Sequence, residues 1–171
     1  MEILITGDKG FIGSNLINYL KDYHIYGIDY PNNVLKSTLP PVDCVIHLAA
    51  STGVRSSHKN PKAYFDNNLK TTKRIFDHYK DTKILFASTS SVSQLQSPYS
   101  MSKYACELMA PDNVVIMRFF TVWGEQNYRT DMLYGMAIND QLNYITDHKR
   151  DFTHVYDVCR AIKILIEKGV G

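Results

Sequence analysis

Several things are scarce in this 171-residue chain. There are only three cysteines, Cys44, Cys106 and Cys159, and none forms a Cys-x-x-Cys pair. That argues against a disulfide-stapled scaffold and a thiolate metal site, and leaves three small core residues in a reducing compartment. The six histidines, His24, His47, His58, His78, His148 and His154, show no metal-ligand spacing, so no metal is expected. Charge of one sign is lacking too. The net charge is +2 with no basic run, so charge gives nucleic-acid binding no support. No apolar stretch approaches the ~20 residues of a membrane span. Met1 leads straight into Glu2-Ile3-Leu4-Ile5 with no basic segment ahead of it, so no signal peptide is expected and a cytoplasmic protein is. Linker-like composition and internal repeats are absent, which leaves one domain of ordinary size, able to bury a core without staples.

What is present is an alternation of strand and helix. Ile3-Leu4-Ile5 reads as a short buried strand, and Phe11, Ile12, Leu16, Ile17 and Leu20 carry helical periodicity over 11 to 21. Strands are expected at His24 to Ile28, Cys44 to Leu48, Lys83 to Ala87 and Val114 to Phe119. Helices are expected over 61 to 80, with Asn60 as cap and Pro61 in first position, over Tyr99 to Met109, and over 155 to 168 ahead of Gly169. This rhythm predicts an α/β fold, a doubly wound parallel sheet covered on both faces. Residues 121 to 142 are polar and irregular and take no assignment.

Between the first strand and the first helix lies Thr6-Gly7-Asp8-Lys9-Gly10-Phe11-Ile12-Gly13. Gly7 permits a tight turn, Gly10 lets the backbone approach a pyrophosphate, and Gly13 lets helix and strand pack closely. Free N–H groups at the helix start would face the phosphates. Three glycines alone are weak evidence, since turns also use glycine, but this set follows a strand and opens a helix. Asp29 ends the second strand, where an acid can accept hydrogen bonds from ribose hydroxyls and repel a 2′-phosphate. The expected cofactor is therefore NAD.

Tyr99 and Lys103 lie four apart on a predicted helix and share a face. A free tyrosine titrates near pKa ~10 and is a poor base at neutral pH. A lysine ammonium nearby and a positive nicotinamide ring would favour the phenolate, which could then accept a proton from a sugar hydroxyl. Tyr-x-x-x-Lys alone is common on solvated helix faces. Here it follows a strand ending in Phe86-Ala87-Ser88-Thr89-Ser90-Ser91, and the C-terminal ends of parallel strands are where such sheets bind ligands. Thr89 could bond the reacting oxygen, or simply open a polar loop.

Together these residues, with Asp43-x-Val45-Ile46-His47-Leu48-Ala49-Ala50, Asn60-Pro61 and Asn68, resemble the extended short-chain dehydrogenase/reductases, which include sugar-nucleotide epimerases and dehydratases. Within that family the chain looks most like the UDP-glucuronate 4-epimerases. The residues that carry this are Gly53-Val54-Arg55, Arg118-Phe119-Phe120-Thr121-Val122, Arg129-x-Asp131-Met132 and Arg150-Asp151-Phe152-Thr153. The resemblance implies a Rossmann-like NAD-binding domain over 1–120 and a much reduced substrate-binding region plus terminal helix over 121–171. It implies a catalytic trio of Thr89, Tyr99 and Lys103. Gly7, Gly10, Phe11, Ile12, Gly13, Asp29 and Lys103 would hold NAD, with Leu48, Ala49 and Ala50 lining the cleft. Asn68, Arg129 and Arg150 would meet the nucleotide-sugar substrate, the arginines at its diphosphate, and Arg55 could meet a sugar carboxylate. It also implies a homodimer in which helices at about 61 to 80 and 99 to 110 form a four-helix bundle, with Phe65, Leu69, Ile75 and Phe76 in core or interface. His47 belongs to a buried-strand motif and is expected to be structural.

In related dehydratases and decarboxylases the loop threonine is followed by acidic residues. Here Ser90 and Ser91 follow Thr89. That favours epimerisation, in which a hydroxyl is oxidised and re-reduced at one carbon through a 4-keto intermediate. A dehydratase, a ketoreductase, or a weak dinucleotide-binding module acting through a partner are the alternatives. Three departures stand out. The interval from Asp29 to Asp43 barely holds a crossover helix, which needs about ten residues or more, so the strand usually found there is expected to be missing. Val92-Ser93-Gln94 replaces the usual Val-Tyr-Gly, and Trp123 replaces a common tyrosine.

Overall fold

The computed structural model describes residues 1–30, 33–126, 128–143, 147 and 149–168. The expected helix stop at Gly169, and His148, lie outside the described residues. Five strands form a parallel sheet: β1 (Glu2–Thr6), β2 (His24–Ile28), β3 (Cys44–His47), β4 (Lys83–Thr89) and β5 (Val114–Phe119), in the order β2-β1-β3-β4-β5. After β2 the chain crosses back over β1 to β3, so the order in which strands are added reverses there, and ligands bind outside the carboxyl ends of strands at such points.

The apolar runs dictate the layering. Ile3, Leu4 and Ile5 are fully buried, and so are Val45 and Ile46, because both faces of these strands are covered. Alternate residues feed two cores. Ile3, Ile5, Ile46 and Leu85 meet α1 (Phe11–Tyr19) and α6 (Val155–Glu167) through Leu16, Cys159 and Ile162. Leu4, Val45, Ile84 and Phe86 meet α3 (Pro61–His78) and α4 (Pro98–Leu108) through Ile75, Phe76 and Cys106. Fully burying a Leu or Ile side chain contributes roughly 1.5–3 kcal/mol, so these two clusters hold the layers together. All three cysteines are free and buried. Asn60 caps α3 by accepting a hydrogen bond from Ala63 N, with Pro61 in first position.

The interval between β2 and β3 contains neither helix nor strand among its described residues, which leaves β2 at the sheet edge. Val34 and Leu39 still reach the core there, at 4% and 8% exposure. Two side chains of α3's C-terminal end hold this short connection. Arg74 donates to the carbonyls of Leu35 and Ser37, and the Tyr79 hydroxyl donates to Pro40 O at 2.7 Å.

Four elements were not visible in the sequence pattern. α2 (Val54–Lys59) is a single polar helical stretch, and α5 (Leu133–Ile138) is equally short. β6 (Thr121–Trp123) and β7 (Phe152–His154) form a two-stranded parallel sheet. Strands of three residues are too short to show a period. They lie at the carboxyl side of β5 and lead directly into α6, which returns to pack against α1.

Candidate active site

The glycine loop leaves β1 with Gly7 at φ +76°, a left-handed conformation that suits glycine. A Cβ on Gly13 would lie 2.2 Å from Gly7 O, so helix and loop touch through bare backbone. α1 begins at Gly10, which offers no side-chain cap, and its first turn holds no acid. Its leading N–H groups are therefore turned to the space beyond the loop, where an anion is favoured. Leu48 N donates to Thr6 O at 3.0 Å, and Ala49 N to Thr6 Oγ1 at 3.3 Å. Leu48, Ala49 and Ala50 thus line the neighbouring edge, all half-buried. Asp29 braces the loop, its carboxylate accepting from Lys9 N at 3.0 Å and Tyr30 N at 2.7 Å. His47 sits beneath, bonded to Thr6 Oγ1 at 2.6 Å and Thr72 Oγ1 at 3.1 Å. Burial, aided by the charge of Lys103, lowers its pKa to about 3. It is a neutral core histidine.

The catalytic candidates come from β4 and α4. Ser97 and Ser100 form a reciprocal capping box, Ser97 Oγ accepting from Ser100 N and Ser100 Oγ from Ser97 N, each at 3.1 Å. With Pro98 this fixes the turn that carries Tyr99. Thr89 ends β4 and bonds Ser91 Oγ at 3.0 Å, and its hydroxyl bears on the Tyr99 phenol. Tyr99 packs edge-on to Tyr64, with ring centroids 6.4 Å apart. Burial raises the Tyr99 pKa above its ordinary value, while the Thr89 hydroxyl and the charge of Arg129 pull against it. Lys103 was expected to favour the phenolate; the structure adds Arg129 as a further cation bearing on the phenol.

Lys103 is 2% exposed, with its ammonium 4.0 Å over the Phe86 ring. Burial pushes its pKa down to about 8, opposed by Cys106 and Glu107. It makes no hydrogen bond to any described residue. A buried lysine with no side-chain hydrogen bond among the described residues, an uncapped helix start and a loop bounded by Gly7 and Gly10 together fit a dinucleotide with hydroxyl and phosphate groups.

Arg129 reaches into this space from the segment before α5. Its guanidinium donates to Thr52 Oγ1 at 2.5 Å and clasps Asp131 through Nε at 2.9 Å and Nη2 at 2.5 Å. Tyr64 donates to Thr52 O at 2.8 Å and so belongs to the same wall. Arg129 also lines a small cavity of about 10 Å³ with Phe11, Trp123 and Tyr134, which joins the start of α1 to the C-terminal region. Ile12 is half-buried against the α1–α6 core.

Two expected substrate residues stand elsewhere. Asn68 is fully buried. It accepts from Ser51 N at 2.7 Å and donates to Ser51 O at 3.1 Å and Ser102 Oγ at 3.0 Å. Its amide is spent on tying the β3–α2 loop to α4, so it positions the site rather than presenting a free group to substrate. Arg150 is exposed and makes no hydrogen bond or ion pair among the described residues. Arg55 is exposed on α2. Sequence reasoning missed Thr52, Tyr64 and the Ser97 cap; a serine before proline at a helix start was the available signal for the cap. A larger depression of about 470 Å³ lies on the outer face of α3, between Lys70, Lys73, Arg74, Asp77 and His78. Lys70 already pairs with Asp66, Lys73 with Asp77, and Arg74 with backbone carbonyls, so it offers few free cations.

The model of the NAD dependent epimerase/dehydratase family matches residues 3–171. The chain belongs to this family. Its cofactor is accordingly NAD, as the loop geometry suits. Among relatives, the uncharacterized UDP-glucose epimerase YtcB of Bacillus subtilis (strain 168) is 31% identical over 235 residues, covering 98% of this chain and 73% of its own length. The dTDP-D-glucose 4,6-dehydratase of Dictyostelium discoideum is 25% identical over 242 residues, covering 98% of this chain and 56% of its own. The crystal structure of UDP-glucuronic acid 4-epimerase from Bacillus cereus in complex with NAD superposes with a TM-score of 0.85, at 27% identity, covering 98% of this chain and 73% of that one. The match to YtcB runs over 235 residues while this chain supplies 171, so the epimerase/dehydratase fold is shortened here within the matched stretch.

Proposed function

We propose that this epimerase/dehydratase family member is a nucleotide-sugar 4-epimerase, acting on UDP-glucuronate or a UDP-hexose through a transient 4-keto sugar. The observation that carries the reading is the setting of Tyr99. The groups that bear on it are Thr89, Arg129 and Tyr64, and none is a carboxylate. Elimination or decarboxylation needs further acid–base groups at the reacting carbons. Oxidation and re-reduction at one carbon need a single proton acceptor that later returns the proton.

The chain's own residues divide the work. Thr89 would hold the sugar hydroxyl at the end of β4. Tyr99 would take its proton as the C4 ketone forms and give it back on return. NAD, when bound, supplies the hydride acceptor and donor. Lys103 would hold the cofactor's ribose from below and lend positive charge to the phenolate state. Gly7, Gly10, Gly13 and the start of α1 would hold the diphosphate, and Asp29 the adenosine ribose. Arg129 acts on Tyr99, but its fork is already held by Asp131, so it would meet the diphosphate or a sugar carboxylate only by exchanging that partner. Arg150, exposed and unengaged, remains the arginine for the diphosphate.

The shortened segment after β2 favours a second reading, a weak dinucleotide-binding module. Calorimetric titration with NAD, alone and with UDP-glucuronate, separates the two. A working epimerase binds NAD more tightly with the sugar nucleotide present and converts it to UDP-galacturonate. Absence of heat with a folded sample overturns the epimerase reading. The assembly we propose is a homodimer through α3 and α4. α4 exposes Met101, Tyr104 and Leu108 along one side, and Phe65 and Leu69 of α3 are half-buried, whereas Ile75 and Phe76 belong to the core. Sedimentation showing only monomer at micromolar concentration would reject it. Among the described residues no helix is long and apolar enough to cross a membrane.

A further inference from the structure

We infer that Glu107, held by its ion pair with the exposed Arg118, serves the site through Lys103, as the counter-charge that holds the lysine ammonium charged and in place beneath Tyr99. The inference rests on the reading of Lys103 as a site residue, and it makes Glu107 a positioning residue, with no contact to substrate.

The geometry is as follows. Lys103 and Glu107 lie four apart on α4, which places them on one face, and both are buried, at 2% and 8% exposure. On the sheet below, Ser88 of β4 pairs in register with Arg118 of β5, and Phe86 lies two residues before Ser88. Phe86, Ser88 and Arg118 therefore share the face turned to α4. The Lys103 ammonium sits over Phe86. The Glu107 carboxylate takes Arg118 in a two-pronged pair, Nε at 3.1 Å and Nη2 at 2.6 Å. The Ser88 hydroxyl is buried beside that carboxylate without full hydrogen-bond geometry to any partner among the described residues.

A carboxylate with 4% of its side chain exposed is costly to keep unless it is paired, and Arg118 provides the pairing. Arg118 itself is 53% exposed along its side chain, so its own charge is largely met by water. The carboxylate's field is screened less on its inner side, toward Lys103. The charged and titratable groups around the lysine come from every neighbouring element. His47 of β3 is neutral, Cys106 of α4 has its thiol pKa raised by burial, Tyr99 of α4 likewise, and Arg129 approaches from beyond Tyr99. The α3 residues facing it, Asn68 and Thr72, are uncharged. Glu107 is therefore the one carboxylate among the groups acting on Lys103. Burial works to raise the carboxyl pKa of Glu107, but Arg118, Ser88 and Lys103 outweigh it and keep it ionised. Burial brings the lysine to about 8, close to neutral working conditions, so loss of this counter-charge would leave the amine neutral where its charge is needed.

The test follows the Lys103 side chain directly, by the ¹³Cε shift of labelled lysine across pH 5 to 11 in the cofactor-free protein, assigned with Lys103→Arg. Glu107→Gln should lower the lysine's titration midpoint by about one pH unit, the low end of what an opposite charge is worth, since the carboxylate lies one helical turn away and makes no direct ion pair with the ammonium. Arg118→Gln, which removes a cation and keeps the carboxylate, should leave the midpoint in place or raise it. Opposite directions are the signature, because a merely structural pair would lower thermal stability in both variants and move the midpoint in neither. If Glu107→Gln does not fold, Glu107→Asp, which withdraws the charge by one methylene, should lower the midpoint by a smaller amount. NAD titration at pH 6 and 8.5 adds a functional readout: Glu107→Gln should weaken binding about tenfold at the higher pH and little at the lower. A midpoint unchanged by the Glu107 substitutions overturns the inference. Since the lysine titration needs neither cofactor nor turnover, absence of epimerase activity would overturn the proposed reaction and leave this result standing.

Discussion

Along the carboxyl edge of the sheet, the glycine-loop side and the catalytic side are built with very different reserves. Around β1 and β2 the fold is thin. β2 is an edge strand, the described part of the connection to β3 buries Val34 and Leu39 with Val42 packed beside them, and it hangs from two side chains at the end of α3. Around β4 and α4 the support is redundant. A capping box sets Tyr99, Asn68 ties the neighbouring loop to α4, and Glu107 and Arg118 join helix to sheet. A chain that is shortened within its family has kept the residues that hold Tyr99 in place, and has thinned the part proposed to grip one end of the cofactor. Affinity for a ligand can be spread over many contacts, whereas a reacting group must be placed to within a fraction of an ångström.

Three substitutions sharpen that comparison. The largest effect is expected at the catalytic side, where Tyr99→Phe should lower epimerase turnover by about 10²- to 10⁴-fold. NAD binding by calorimetry should change little. Turnover that survives the change would remove Tyr99 from the mechanism. Next comes the loop. Gly13→Ala puts a Cβ where Gly7 O stands, 2.2 Å away, and backbone cannot step aside cheaply. It should cost about 1–3 kcal/mol of stability and abolish measurable NAD binding. Normal affinity in a folded Gly13→Ala protein would mean that the close approach is not required. The smallest effect is at the connection after β2. Arg74→Ala frees the carbonyls of Leu35 and Ser37 to water and should cost about 1–2 kcal/mol in urea unfolding, with NAD affinity down a few-fold. A loss of NAD affinity as deep as that of Gly13→Ala would mean that the thin side has no reserve at all.

Much of this could be read in advance. The five strands carry apolar runs bounded by turns, and their order along the chain with helices between them implies a parallel sheet. The glycine spacing located the loop, and Tyr99 and Lys103 were on one face as soon as the helix was granted. α2, α5, β6 and β7 were not legible, because elements of three to six residues have no period to detect and owe their shape to what they pack against. Asn68 was expected as a substrate contact because the family resemblance places a residue there near the active site. Only the structure shows that Ser51 and Ser102 already claim it. Arg129, thirty residues beyond Tyr99, was expected at the substrate diphosphate, and nothing in the sequence brought its charge to the phenol.

By itself the sequence determined the layered parallel sheet, the loop that can accept a dinucleotide and the pair of residues on α4, since each rests on neighbours a few positions apart. Tertiary structure alone decided which cation stands beside the phenol, which carboxylate stands behind the lysine, and what closes the gap after β2. Those contacts join Arg129 to Thr52, Glu107 to Arg118, and Arg74 to Ser37. They exist only where packing has excluded water, and it is the exclusion of water that gives such charges their reach.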